Sequence, residues 1–394
     1  MKASIARFAG AVARLPLYRR IAEAASLDDE VASLLLLADT DDRNPTLLFA
    51  AVHDYLLAES DWAASPGTSL TAHGQDPLAD WYPSLRGQPT QVSDGSGDPW
   101  PHFRRVALDE PKVAETMATR GTQTNEVGRC ATTVPALGFV QRDVNRPIGL
   151  VEVGASAGLN LRLDSYGYRW TREVRGSESG PSANASGRDG HDSVELLPGR
   201  PVMVESRWRA GRRPAVPTEM VAIGARMGID RDPVDLSDTS AARWLIACQW
   251  PEQVERLERC RAAVREARSA AAAGETAPVR RGDLVDLVGP AVVALPDDSH
   301  PVVLATWVLT YLGPEGQRRF LAALDGVAAS RDLTLVLQEE PSAAPGLDLP
   351  PRPDVRSVPG PTALCRIDWR DGRRGDAVRL ADQHPHGTWA EWFA

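Results

Sequence analysis

Cysteine is scarce in this chain and never paired along it. Cys130, Cys248, Cys260 and Cys365 are the only four in 394 residues, and no C-x-x-C spacing occurs. That pattern offers neither the ligands of a structural zinc site nor the framework of a disulfide-stapled secreted fold. The expectation is reduced thiols in a cytoplasmic protein. Also missing is any apolar run near the roughly 20 residues needed to span a bilayer. The basic, alanine-rich start, MKASIARFAGAVARLPLY, is not read as a targeting signal, because Arg7 and Arg14 interrupt its apolar stretch. Ile5, Phe8, Val12 and Leu15 instead recur at helical spacing and predict an amphipathic helix. A basic excess is lacking as well: 53 acids against 44 bases leave a net charge of -9. This argues against a nucleic-acid partner and against an anionic membrane surface. What is present, 43% hydrophobic and 25% charged residues, supports a sizeable globular core. The length allows two or three domains of roughly 100–200 residues each.

No clear strand pattern precedes residue 148. Helices are expected over about 2–25, 28–38 and 45–58, the last entered through Asn44-Pro45, a cap followed by a first-turn proline. Gly/Pro/Ser/Asp-rich loops follow near 63–77 and 86–101. A further helix is expected from Asn125 to about Asp143, kinked or split at Pro135. From 148 onward strands and helices alternate. PIGLVEVG reads as a buried strand leading into a helix through about Leu163, and YGYRWT as a short extra strand. Residues 171–193 read as a mobile insertion, RPVMVESRW as a strand, and 214–274 as a helical insertion. APVRRGD, HPVVLATW and DLTLVLQEE supply further strands. The tail folds as a hairpin about Asp371-Gly372. Such alternation predicts an α/β, doubly wound, Rossmann-like parallel sheet. The expected domains are a helical one over 1–124, an α/β one over 125–340 with the insertion 214–274, and a proline-rich loop with hairpin over 341–394. The insertion and the tail would cover the cleft.

Ligands of such sheets bind outside the carboxyl ends of the strands. The residues expected there are Glu152 to Gly158, Glu205, Gly282-Asp283, Thr306 and Gln338 to Glu340. EVGASAGLNL admits two readings. As G-x-S-x-G it presents Ser156 as a hydrolase nucleophile, with Asp325 or Glu340 and His384 or His386 completing a Ser-acid-His order. As acid-x-Gly-x-x-x-Gly it is a cradle. Gly154 and Gly158 allow a tight turn, backbone N–H groups near Ser156 receive a carboxylate or hydroxyls, and Glu152 suits a cationic amine. A hydrolase elbow also needs an oxyanion-hole loop after an earlier strand, and none reads upstream, so the cradle is preferred.

These residues resemble class I S-adenosylmethionine-dependent methyltransferases over roughly 125–340. In that fold the acid-x-Gly-x-x-x-Gly turn holds the methionine half of the cofactor, an acid after the second strand takes the ribose hydroxyls, and a Gly-Asp after the third approaches the adenine. The resemblance implies these roles for Glu152, Gly154 and Gly158, for Glu205, and for Asp283 with Leu284; Ser156 and Thr306 lie beside them. About fifty residues separate Glu205 from Gly154, against roughly twenty in the usual unit. Over its whole length the chain is similar to the bacterial family named domain of unknown function 2332. The similarity is carried by QTNEVGRC, EVGASAGLNL, WPEQ, GD, WVLTYL and HPHGTWAEW. That likeness implies a methyltransferase-like fold and no particular activity.

On the acceptor side, QTNEVGRC places Glu126 and Arg129 before the glycine turn, Arg129 being able to grip a carboxylate. The bland alternative is a helix cap with a surface ion pair. Asn160 and Asp164 share a helix face. Trp250 with Glu252 could stack a planar substrate, although a core Trp with a capping acid explains them as well. Tyr311 could orient a nucleophile, or be a packed tyrosine. His384 and His386 could act as a base or belong to a structural turn, and without a third ligand no metal is expected. The resulting expectation is a methyltransferase using S-adenosylmethionine, with Glu126, Arg129, Tyr311 and His386 facing an unknown small-molecule acceptor. The alternatives are a serine hydrolase and a non-catalytic sensor or partner-binding protein on the same fold.

Overall fold

A computed structural model describes residues 1–60, 76–86, 97–173, 193–209, 212–353 and 361–394. The expected loops near 63–77 and 86–101 and the insertion 171–193 fall largely outside these residues. The chain divides into two compact units, one of residues 1–124 and 234–265, the other of 125–233 and 266–394.

The first unit is helical. The helix expected over 2–25 breaks into Lys2–Ala11 and Pro16–Ala25, because Pro16 cannot continue a helix but can begin one. The second piece is capped by Glu252, whose carboxylate accepts the Leu17 and Tyr18 amides at 2.8 and 3.0 Å. Glu252 is therefore structural, and Trp250 packs edge-on against Phe8. Helix Pro45–Ala58 starts at Asn44, whose side chain accepts the Leu47 amide at 3.1 Å. Residues 29–37 pass from the α-helix Asp29–Ser33 into a 3-10 turn, Leu34–Leu37. The expected helical insertion over 214–274 is only partly so: helices Thr239–Ala247 and Val254–Ala272 are present, while residues 223–230 form a strand of the second unit.

The second unit is built on a sheet of twelve strands. They are β1 (Ile148–Val153), β2 (Gly167–Arg172), β3 (Ser193–Leu196), β4 (Met203–Trp208), β5 (Ile223–Asp230), β6 (Val279–Arg281), β7 (His300–Thr306), β8 (Leu333–Glu339), β9 (Thr362–Arg370), β10 (Arg373–Arg374), β11 (Val378–Gln383) and β12 (Trp389–Trp392). Their order is β3-β2-β4-β12-β11-β9-β8-β7-β1-β5-β6, with β10 beside β9. The block β6-β5-β1-β7-β8 is parallel throughout. In chain order its strands run third, second, first, fourth, fifth, so the chain winds outward in both directions from β1. The tail hairpin joins the sheet rather than packing on its face, with β9 antiparallel to β8. Among the described residues β1 is the first strand, yet it lies inside the sheet.

Both faces of β1 and β7 are buried, as continuous apolar runs in parallel strands require. Helices α2 (Leu284–Val293) and α3 (Gly313–Ala328) cover one face; Val151, Val153, Val303, Ala305, Leu335 and Leu337 belong to that core with Phe320 and Leu324. Helix α1 (Cys130–Val144), earlier in the chain, contacts β8 and β4. Pro135 was expected to kink or split it, and the helix runs through. Proline leaves the Ala131 carbonyl without its usual i+4 donor, and the Trp170 indole N–H donates to that oxygen at 2.8 Å. Strand β5 escapes sequence reading because Arg226 and two glycines, Gly224 and Gly228, break its apolar pattern. Arg226 is accommodated by a two-pronged pair with Asp164, at 2.8 and 2.6 Å. Among the described residues no helix is long and apolar enough to cross a membrane.

Candidate functional site

The site lies at the carboxyl ends of β1, β5, β7 and β8. Between β1 and β7 the winding direction reverses, which is where crevices open in such sheets. After Val153 the chain turns through Gly154, Ser156 and Gly158, all at positive φ (71°, 50° and 72°). At Gly154 a Cβ would come within 2.5 Å of the Val308 side chain, so only glycine lets the segment after β7 close over the turn. The turn is anchored on both sides. The amides of Gly154 and Ala155 donate to the Ile229 carbonyl at 2.8 and 3.1 Å. The Ser156 amide donates to Asp230 Oδ2 at 2.7 Å, and the Leu159 amide to Asn125 Oδ1 at 3.0 Å. The expected helix after the turn is instead a 3-10 segment, Asn160–Ser165. No helix dipole is therefore available to an anion there; side-chain carboxylates dominate.

Glu152 is fully buried on β1. Asn160 donates to its Oε1 at 2.9 Å, while its Oε2 has no hydrogen-bond partner among the described residues. Burial pushes its pKa up to about 8, against the Asn160 hydrogen bond and the Arg129 charge, with Asp230 adding to the rise. Glu339, ending β8, is also buried: Oε1 accepts the Val308 and Leu309 amides at 2.9 and 2.8 Å, and Oε2 has no partner. Burial raises it to about 7, opposed by those amides and by Arg129.

Arg129 was expected to face a substrate carboxylate. In the structure Nε donates to the Pro385 carbonyl at 2.9 Å and Nη1 to the Thr306 carbonyl at 3.0 Å. It ties the 384–387 turn to the end of β7. Glu126 caps the 3-10 turn Val127–Arg129 through the Gly128 amide at 2.9 Å, and its Oε2 lies 3.4 Å from His386 Nδ1. Behind them Gln338 donates to Thr133 Oγ1 at 2.8 Å, and Thr132 donates to Gln383.

Other expected residues fall differently. Glu205 sits on β4, exposed and paired with Arg169 at 2.8 Å, with five strands between β4 and β1. It is not the acid that follows the strand beside β1. That strand is β5, and its acid is Asp230, half-buried, which sequence reading missed. The trace it leaves is short: Gly228-Ile229-Asp230, a brief apolar pair closed by an acid before a loop. Asp283 caps α2 through the Val285 amide at 2.8 Å and lies 3.7 Å from Arg231. Its neighbour Gly282 donates to the Asp230 carbonyl at 2.9 Å, so Asp283 and Leu284 do lie near Asp230. Thr306 is buried at the end of β7. Tyr311 is 84% exposed on the 3-10 turn Leu309–Leu312, not packed among these groups. Asp164 and Arg162, on the 3-10 segment, are spent on ion pairs with Arg226 and Glu266.

For the nucleophile reading, Ser156 is buried, the turn leads into a 3-10 segment rather than an α-helix, and Asp325 accepts the Trp369 indole N–H at 2.8 Å, while Glu340 accepts the Ser342 hydroxyl at 2.7 Å. Among the described residues no group of three or more His, Cys, Asp or Glu side chains could hold a metal ion. None of the curated proteins and none of the solved structures compared with the chain matches it. The family described as an uncharacterized protein conserved in bacteria (DUF2332) matches residues 2–392, and the chain belongs to that family.

Proposed function

We propose that the protein binds S-adenosylmethionine and is a small-molecule methyltransferase. One observation carries the reading: two carboxylates bracket a glycine turn at the reversal point of a parallel sheet. Glu152 is buried with an oxygen that lacks a partner, and Asp230 closes the neighbouring strand against the Ser156 amide. The strand order third-second-first-fourth-fifth matches the nucleotide-binding doubly wound sheets as far as the fifth strand.

The donor set fits this cofactor. An ammonium group suits Glu152, and a ribose diol suits Asp230, which also accepts the Asp232 amide at 2.8 Å. Asp283 and Leu284 stand where an adenine would follow. A phosphate suits the turn poorly, since the two acids repel it and the 3-10 segment offers no helix terminus. When bound, the cofactor supplies an electrophilic methyl group, and the chain's work is to hold, align and exclude water. Gly154, Gly158 and Val308 shape the turn, and Arg129 fixes the loop that faces it.

Native mass spectrometry of the purified protein tests the reading. An adenosyl-containing mass that co-purifies with the wild type and is lost from Asp230→Ala supports it. A nucleoside phosphate held in its place refutes it.

A further inference from the structure

We propose that Glu339 is the positioning residue of the cofactor cradle, holding the segment after β7 down on the glycine turn through one carboxylate oxygen; the proposal rests on the methyl-transfer reading above. The residue stands out first by its register. Side chains alternate along a strand, and Leu335 and Leu337 of β8 belong to the apolar core shared with Phe320 and Leu324. Glu339 is next in that series and is fully buried. An apolar side chain would continue the core at no electrostatic cost, whereas a carboxyl group there needs hydrogen bonds to be tolerated.

Those bonds go to one place. Oε1 accepts the amides of Val308 and Leu309 at 2.9 and 2.8 Å, the second and third residues beyond the end of β7. Trp307, just before them, has φ of 55°, a left-handed backbone that a bulky residue adopts only under constraint. The constraint comes from β8 and β9. The Trp307 amide donates to the Gln338 carbonyl at 2.9 Å, and its indole N–H to the Thr362 hydroxyl at 2.9 Å. Gln317 of α3 adds a further tie, donating to the Leu309 carbonyl at 3.0 Å and to the Ala343 carbonyl at 3.1 Å. The segment is thus a strained loop fixed at consecutive residues, and Glu339 holds two of its amides.

What these ties hold in place is Val308. A Cβ at Gly154 would stand 2.5 Å from Val308 Cγ2, so the isopropyl group lies directly on the first glycine of the turn. Gly154 is itself left-handed, at φ of 71°, and its amide is fixed on the Ile229 carbonyl. With β5 on one side of β1 and β7 on the other, the turn is held between Ile229 and the segment that Glu339 ties down. Two N–H groups converging on a single oxygen call for an acceptor of the right reach, and a carboxylate supplies a strong one. Reach is the feature on which a positioning role depends. A carboxylate acting only through its charge would tolerate a shift of one methylene group.

Two conservative variants separate reach from charge. Glu339→Asp keeps the charge and draws the oxygen back; Glu339→Gln keeps an oxygen at the same reach and removes the charge. Amide hydrogen exchange over residues 307–312, with 300–305 as internal reference, reads the tie in the unliganded protein. Calorimetric titration with S-adenosylmethionine reads its effect on the cradle. In Glu339→Asp, exchange over 307–312 is expected to be about tenfold faster and cofactor affinity about tenfold lower. In Glu339→Gln both stay within about threefold of the wild type. The proposal is overturned by unchanged exchange in Glu339→Asp, by faster exchange with unchanged affinity, by equal acceleration over 300–305, or by a greater loss of affinity in Glu339→Gln. Should Glu339→Asp fail to fold, Val308→Ala carries the test with the carboxylate left in place. Affinity lowered about tenfold then supports the proposal, and unchanged affinity overturns it. Absence of cofactor binding by the wild type, with the exchange results as expected, instead sinks the methyl-transfer reading on which the proposal rests.

Discussion

The Asp230 carboxylate accepts the Ser156 amide at 2.7 Å, joining the end of β5 to the glycine turn that leaves β1. This contact holds an acid beside the turn, the group the proposed cofactor reading pairs with a ribose diol. Asp230→Asn keeps the shape and loses the charge-assisted acceptor, so S-adenosylmethionine binding is expected to weaken about tenfold or more. Glu205→Ala, on β4 with six strands between it and β5, is expected to leave it unchanged. Parallel calorimetric titrations of the two variants check this. Equal effects would mean that Asp230 is only a structural tie.

Glu152 gives the stability a definite pH dependence. Its folded pKa of about 8 lies above the ordinary carboxyl value of 4.5, so the folded state binds the proton more tightly. The stability it contributes is present at low pH and is lost as pH rises between those values. Glu339, raised to about 7, acts in the same direction. Glu152→Gln keeps an amide oxygen for Asn160 and removes the titration. The variant should gain on the wild type as pH increases from 5 to 9, by on the order of a few kcal/mol. Urea unfolding at both pH values measures it; parallel curves for the two proteins would refute the assignment.

Sequence reading reached the site unevenly, for physical reasons. β1, β7 and β8 are buried on both faces and so write unbroken apolar runs, and the polar residues that end them were legible as strand ends. β5 is not written that way. Arg226 looks like a helix-surface residue until Asp164 neutralises it, and with β5 unread, Asp230 went unnoticed and Glu205 took its place. The 3-10 segment after Gly158 shares the composition of a helix start, and only tertiary anchoring by Asn125 and Glu152 distinguishes it. Glu126 and His386 stood out separately; their meeting depends on the tail hairpin entering the sheet, which no spacing encodes.

The Trp170 indole stands in for the backbone donor that Pro135 lacks. Trp170→Phe should leave the Ala131 carbonyl buried without that donor and cost about 1–3 kcal/mol. In a Pro135→Ala background the helix amide takes over, so the same change should cost less. A double-mutant cycle by chemical unfolding measures the coupling. Additive costs would show that the indole matters only by its bulk.

Gly387→Ala sets a methyl group against the Gly128 carbonyl at a residue with φ of 70°. Loss of at least about 2 kcal/mol is expected, or detachment of the 384–387 turn. The His386 NMR signal reports the second outcome. An unchanged melting curve and an unchanged signal would show that the two segments do not touch.

The most direct measurement is calorimetric titration of the wild type with S-adenosylmethionine at pH 7 in buffers of different ionisation enthalpy. The expected result is one site per chain, with heats that reveal a proton released as Glu152 ionises to meet the cofactor's ammonium group. No heat in any of the buffers, in a protein shown to be folded, would contradict the cofactor reading outright.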